Sequence, residues 1–183
     1  MADALLQMLR ERSFRRGRFT LASGVQSDFF IDCKPTVLTA RGHALAGAAL
    51  LTAVRRLPRP PVAVAGVVLG GCPLASAVAM TSVADGPSLD AVYVRKDAKA
   101  HGSRRRVEGA AHLPAGAPLA LLEDTVTTGG STLRAASALR EEGFEVVGVV
   151  AVVDRLEGAA EAFENAGVPF ATLYTRRDFL PDR

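Results

Sequence analysis

The stretch Glu123-Asp124-Thr125-Val126-Thr127-Thr128-Gly129-Gly130-Ser131 sets two carboxylates ahead of a run of hydroxyls and a pair of glycines. Glycines let successive backbone N–H groups point into one concavity, and a helix opening behind them adds positive potential. Thr125, Thr127, Thr128, Ser131 and Thr132 bring hydroxyl donors to the same place. Such a loop suits a phosphate, and it is not a Walker loop, because no lysine follows the glycines. Carboxylates in front of an anion nest suit a ligand with sugar hydroxyls at one end and phosphate at the other. Glu123 and Asp124 are therefore expected to accept hydrogen bonds from a ribose while the loop holds its 5-phosphate. The competing reading is an acidic turn in front of a capped helix.

A second concentration of charge runs from Arg95 to Glu108, whose fourteen residues hold six basic side chains, His101 and two acids, with no apolar face to bury. Two of the three lysines in the chain, Lys96 and Lys99, lie here beside Arg95 and His101. Arg104, Arg105 and Arg106 read as a solvated face that attracts a polyanion. Gly70-Gly71 reads on its own as a tight turn, or as a place where a ligand approaches the backbone just before a helix. Other polar candidates carry less: Lys34 reads as an edge charge, His43 as a half-buried structural residue, and His112 as solvent-exposed. Phe29, Phe30 and Ile31 fit an apolar wall for a base or plain strand core.

These residues need elements to hold them. Short Val- and Leu-rich runs at 62–68, 91–94, 118–123, 145–153 and 170–174 read as buried strands. Between them, 73–84 and 131–143 read as helices, the first opened by Pro73, the second capped by Ser131 and stopped by Gly143. Such alternation predicts an α/β fold, a mostly parallel sheet flanked by helices, with function on the loops after the strands. Pro58, Pro60 and Pro61 must stop the preceding helix, so the single domain of 1–183 divides into an amino-terminal region, 1–57, and a core, 58–183.

Composition narrows the class. The chain is 183 residues, 49% apolar and 22% charged, which suits a compact globular protein and argues against disorder. Apolar runs are strand-length, short of the ~20 residues of a membrane span, and the amino terminus does not resemble a cleaved secretory signal. Cys33 and Cys72 lie far apart without metal-ligand spacing and read as reduced thiols, so a cytoplasmic location and no membrane partner are expected. A net charge of +3 permits an anionic substrate or weak nucleic-acid contact without choosing between them.

The apolar strand followed by Leu121-Leu122-Glu123-Asp124-Thr125-Val126-Thr127-Thr128-Gly129-Gly130-Ser131-Thr132 closely resembles the phosphoribosyl pyrophosphate signature of type I phosphoribosyltransferases. The 94–109 segment resembles the catalytic loop of the orotate-specific branch, with Arg-Lys, Lys, His and Gly at matching spacing. Residues 18–34 resemble that branch's amino-terminal segment, and 152–158 its later strand end with an arginine for the base. The resemblance spans about 14–158 and implies a type I phosphoribosyltransferase fold with a small amino-terminal hood. It implies Mg²⁺-dependent transfer of a phosphoribosyl group from 5-phosphoribosyl 1-pyrophosphate to orotate in pyrimidine synthesis. Arg95, Lys96, Lys99 and His101 would act on the leaving pyrophosphate, with His101 a positioned cation or donor ahead of a general acid. Gly70 and Gly71 would bind phosphoribosyl pyrophosphate through their backbone, and Glu123 through Ser131 would hold its ribose and 5-phosphate. Arg155, Thr127 and Phe30 would contact orotate, Arg155 through a bidentate fork on the carboxylate in place of a surface ion pair with Glu157. Mg²⁺ would be held mainly by substrate and water, with no protein metal ligand, and a homodimer would share its lids between subunits. Lysines that many relatives carry are absent at Ala22 and Gly70, and the frequent Asp-Asp is Glu-Asp. Two rivals are a phosphoribosyltransferase for another base and a non-enzymatic regulator that binds nucleic acid. The concentration of basic residues in one segment, with no arginine-rich helix or aromatic-interleaved groove, argues against the regulator, so no nucleic-acid partner is expected.

Overall fold

A computed structural model describes residues 2–20, 26–95 and 106–180. The chain opens with α1 (Ala2–Arg12) and an antiparallel ribbon of β1 (Phe14–Thr20) and β2 (Gln26–Ile31), followed by the short α2 (Lys34–Val37) and α3 (Ala40–Val54). Strands and helices then alternate: β3 (Ala63–Val67), α4 (Gly71–Ala84), β4 (Asp90–Val94), β5 (Val107–Glu108), β6 (Pro118–Val126), α5 (Gly130–Glu141), β7 (Glu145–Asp154), α6 (Ala159–Asn165), β8 (Phe170–Thr175) and α7 (Arg176–Phe179). Six strands make one sheet in the order β5-β4-β3-β6-β7-β8, parallel except for β5, which runs antiparallel to β4. The expected mostly parallel sheet flanked by helices is the architecture found.

Unbroken apolar runs make buried strands because both faces of the sheet are covered. On one face Val64, Ala120, Leu122, Val150 and Val152 pack with Leu50, Leu51 and Val54 of α3 and Leu74 and Val78 of α4. Leu5, Leu9, Phe29 and Ile31 join the same cluster, so the amino-terminal elements share the core of the sheet. On the other face Ala65, Leu119, Leu121, Val149 and Ala151 meet Ala136 and Leu139 of α5 and Phe163 of α6. Among the described residues no helix is long and apolar enough to cross a membrane.

Three boundaries differ from expectation. Helix α4 starts at Gly71, so Pro73 sits inside its first turn. Strand β6 runs on through Glu123 and Asp124 to Val126, because Thr125 and Val126 keep pairing with Val153 and Asp154 of β7. Ser131 is not the cap of α5; that position belongs to Gly129, whose φ of 77° is a left-handed conformation glycine adopts without cost. The connection from β3 to β4 leaves on one side of β3, and β6 pairs on the other, so the strand order reverses between β3 and β6. The crevice beyond the carboxyl ends of these two strands is where ligands bind in such sheets.

Candidate active site

The loop after β3 contributes backbone alone. A Cβ on Gly70 would overlap the Asp124 carboxyl group, and one on Gly71 would overlap the Leu122 carbonyl. The Val68–Leu69 peptide bond is cis. The clash with backbone makes glycine necessary at 71 for this loop to lie against β6, while at 70 a side chain would displace the Asp124 carboxyl, so the pair is more than a simple turn.

The strand facing it contributes side chains. Consecutive strand residues project to opposite faces, so Glu123 and Asp124 diverge instead of standing side by side. Glu123 is buried and accepts a hydrogen bond from the Thr132 hydroxyl of α5 at 2.9 Å. Asp124 turns to the other side, against Gly70, and its carboxylate accepts from the Thr125 N–H at 2.8 Å. Burial raises the Asp124 carboxyl above its ordinary range, and the nearby Lys34 ammonium draws it partly back. The buried Cys33 thiol, pushed up by burial and held protonated, donates to the Asp124 carbonyl at 3.5 Å and lies 3.6 Å from the Thr125 hydroxyl. Cys33 is thereby tied to the end of β6, and the neighbouring Lys34, expected as an edge charge, is 41% exposed, pairs with Asp32 and lies near enough for its charge to act on Asp124.

Beyond Val126 the chain turns through residues 127–129 into α5, the stretch expected to hold a phosphate. Thr127 is half-buried and Thr128 exposed; Gly129 rests close to the Phe163 ring; Gly130 and the exposed Ser131 begin α5. The first-turn amides of α5 have no carbonyl four residues back, so they are available to an anion.

Arg155, directly after β7, is 4% exposed, and its N–H donates to the Val126 carbonyl at 3.0 Å. Its Nε lies 2.9 Å from Glu157 Oε1, so the ion pair with Glu157 exists, but the arginine itself is buried. The guanidinium stacks 4.5 Å over the Phe29 ring, and Arg176 lies 5.1 Å from the same ring. Phe30 belongs to the opposite face of the ribbon: it is 39% exposed and packs on Phe19, with ring centroids 5.5 Å apart. The aromatic ring beside Arg155 is thus that of Phe29, while Phe30, expected to contact orotate, lies on the other face of the ribbon.

Of the basic segment, Lys96, Lys99, His101, Arg104 and Arg105 lie outside the described residues, as does Ala22. Its two roots are fixed. Tyr93 and Val94 pair with Glu108 and Val107, and the Arg95 N–H continues the ladder to the Arg106 carbonyl at 2.8 Å. Glu142, at the end of α5, accepts from the N–H groups of Arg106 and Val107 at 2.7 and 3.1 Å. Arg95 is half-exposed, 3.7 Å from Glu108. Arg106 is half-buried against the Arg95 carbonyl, which separates it from the expected solvated run. His43 and His112 behave as anticipated: His43 is half-buried with Nδ1 3.1 Å from the Val37 carbonyl, and His112 is exposed beside Asp90.

Residues 37–171 match the family model of the phosphoribosyl transferase domain. A Sorangium cellulosum orotate phosphoribosyltransferase is 60% identical over 180 residues, covering 98% of this chain and 93% of that protein. The chain belongs to the orotate phosphoribosyltransferase family. The crystal structure of the Mycobacterium tuberculosis H37Rv orotate phosphoribosyltransferase with Fe(III) dicitrate superposes with a TM-score of 0.83 at 37% identity, covering 98% of both chains. The same enzyme in complex with 5-phospho-α-D-ribosyl 1-diphosphate gives 0.79 at 33% identity, covering 97% of this chain and 98% of that one. An adenine phosphoribosyltransferase from Leishmania donovani, 16% identical with a TM-score of 0.69, covers 97% of this chain and 82% of that one and shares the fold alone.

Within this family framework, sequence reasoning missed Cys33, Lys34, Glu142 and Arg176 as contributors to the site and its borders. An Asp-Cys-Lys run directly after an aromatic strand was the available signal for the first two, although β2 belongs to the separate ribbon and not to the parallel sheet.

Proposed function

We propose that the chain transfers the phosphoribosyl group of 5-phosphoribosyl 1-pyrophosphate to orotate, giving orotidine 5′-monophosphate and pyrophosphate in pyrimidine synthesis. The observation that carries this reading is the direct link between the two ends of the crevice. The Arg155 N–H bonds to the Val126 carbonyl at 3.0 Å, which fixes a buried guanidinium beside the phosphate loop at 127–131.

In this reading the nest at 127–131 holds the 5-phosphate, and Thr125 and Val126 shape its entrance. Asp124, and Glu123 through a carboxylate it shares with Thr132, accept hydrogen bonds from the ribose hydroxyls. The Gly70-Gly71 backbone borders the pyrophosphate, and Thr127 and Arg155 orient orotate, the guanidinium fork on its carboxylate. The amino-terminal region 1–57 serves as a hood that supplies Phe29 beneath Arg155, with Phe30 on its outer side. As the ribose carbon leaves pyrophosphate for the base nitrogen, positive charge grows on the sugar and negative charge on the leaving group. Mg²⁺ enters as the complex of the substrate, held mainly by substrate oxygens and water. Arg95, Lys96, Lys99 and His101 offset the remaining charge, most strongly where water is excluded. Buried, unpaired Cys33 and Cys72 suit a reducing cytoplasm.

We assign the functional unit as a homodimer whose charged segments cross between subunits. Supporting this, Met80 and Val83 of α4 are 79% and 75% exposed, and Ser76 on the same stripe meets Tyr93 of β4 at 2.5 Å, next to the root of the charged segment. Mixing inactive Lys99→Ala with inactive Asp124→Ala subunits should restore activity; no recovery after verified subunit exchange would remove the crossing.

The reaction is tested with purified protein, Mg²⁺ and phosphoribosyl pyrophosphate, following orotate absorbance, with adenine, guanine, hypoxanthine, xanthine and uracil resolved by product chromatography. Consumption of orotate alone is expected. Turnover of another base would overturn the base assignment and leave the phosphate loop. No turnover of any base despite phosphoribosyl pyrophosphate binding would favour a regulator.

A further inference from the structure

A polyanionic substrate must approach the Asp124 carboxylate at the end of β6, so a cation near it decides whether the substrate can bind. Lys34 is placed to be that cation. Its Nζ lies 2.6 Å from Asp32 Oδ1, and its side chain is 41% exposed. An ammonium has three donors, and among the described residues Asp32 is its hydrogen-bonding partner, through one of them. The turn carrying Lys34 is fixed to β6 by the Cys33 thiol on the Asp124 carbonyl and beside the Thr125 hydroxyl. Asp124 in turn presses its carboxyl against Gly70, the loop assigned to pyrophosphate. The Lys34 and Asp124 charges act on one another across this short space, each favouring the charged form of the other.

We propose that Lys34 is a substrate-binding residue whose ammonium, paired with Asp32 on the turn that Cys33 ties to the end of β6, donates hydrogen bonds to the pyrophosphate of phosphoribosyl pyrophosphate. The inference rests on the function proposed above and adds to it a cation from the hood, distant in sequence from the charged segment at 95–108. Asp32 holds the ammonium ready at the rim. Incoming phosphate oxygens, more negative than one carboxylate, take over its remaining donors.

The test compares Lys34→Gln and Lys34→Arg with the wild-type protein in direct calorimetric binding of phosphoribosyl pyrophosphate with Mg²⁺, in steady-state kinetics, and in competition by pyrophosphate and by ribose 5-phosphate. A charge-assisted hydrogen bond lost on Lys34→Gln is expected to weaken phosphoribosyl pyrophosphate and pyrophosphate binding about 10- to 100-fold. Orotate KM, ribose 5-phosphate binding and the melting temperature of the apo protein should hardly move, and Lys34→Arg, which keeps charge and donors, should recover most of the binding. Unchanged pyrophosphate binding in Lys34→Gln would overturn the proposal, as would equal weakening of pyrophosphate and ribose 5-phosphate. Lys34-dependent pyrophosphate binding in a protein that turns over no orotate would sustain this inference and remove the base assignment.

Discussion

The loops after β3 and β6 occupy neighbouring strand ends and bring opposite kinds of chemistry to one crevice. After β3, Gly71 lies so close to the Leu122 carbonyl that a side chain there must move backbone, while Gly70 lies against the Asp124 carboxyl, and the loop brings peptide groups to the crevice. After β6, almost every residue from Asp124 to Ser131 offers a carboxylate, a hydroxyl or a helix-terminal amide. The contrast teaches that the two loops are one device. Gly70 makes room for the Asp124 carboxylate, and the Lys34 charge acts on that carboxylate from the turn after β2.

Within the two loops, the largest effect should come from the side-chain wall. Asp124→Asn is expected to lower kcat/KM for phosphoribosyl pyrophosphate about 100-fold, since a charged acceptor for ribose is lost. The same change should raise the melting temperature at neutral pH. Burial raises the folded-state pKa of this carboxyl, so its ionised form costs stability above the carboxylate range, and the gain should shrink as pH falls through that range. A lower melting temperature at neutral pH would show that the carboxylate braces the fold instead. On the backbone wall, Gly71→Ala must move the Leu122 carbonyl and should cost about 1–3 kcal/mol of stability, roughly 2–12 °C in calorimetry. Gly70→Ala meets only a side-chain carboxyl, which can rotate. A smaller change is therefore expected, on the order of tenfold in KM for phosphoribosyl pyrophosphate with melting little altered; a loss of stability as large as that of Gly71→Ala would erase the distinction between the two glycines. The smallest effect belongs to Glu142→Ala, which releases the Arg106 and Val107 amides at the root of the charged segment and should lower kcat about fivefold while leaving substrate binding intact.

The sheet and the glycine turn into α5 were legible in the sequence because their signals are local. Val- and Leu-rich runs mark buried strands wherever helices cover both faces, and the Thr-Thr-Gly-Gly-Ser order carries its own turn chemistry. The run of β6 through Glu123 and Asp124 was hidden, since polar residues break the apolar pattern while β7 still offers backbone partners. Ser131 looked like a helix cap because a left-handed residue at Gly129 cannot be told from a flexible one by composition. Phe29 and Phe30 alternate across the ribbon, and only knowing which face Arg155 covers decides between them. The meeting of Cys33 with Asp124 joins residues 91 apart, a distance that no periodicity spans.

The division of labour between a fixed wall that binds and a charged segment that acts on the leaving group is tested most directly by Lys99→Ala, with phosphoribosyl pyrophosphate affinity and orotate turnover measured on one preparation. Turnover is expected to fall about 100- to 1,000-fold with affinity changed less than about threefold, because the charge Lys99 meets develops in the transition state. Equal losses of affinity and turnover would contradict that division and make the segment part of the binding wall.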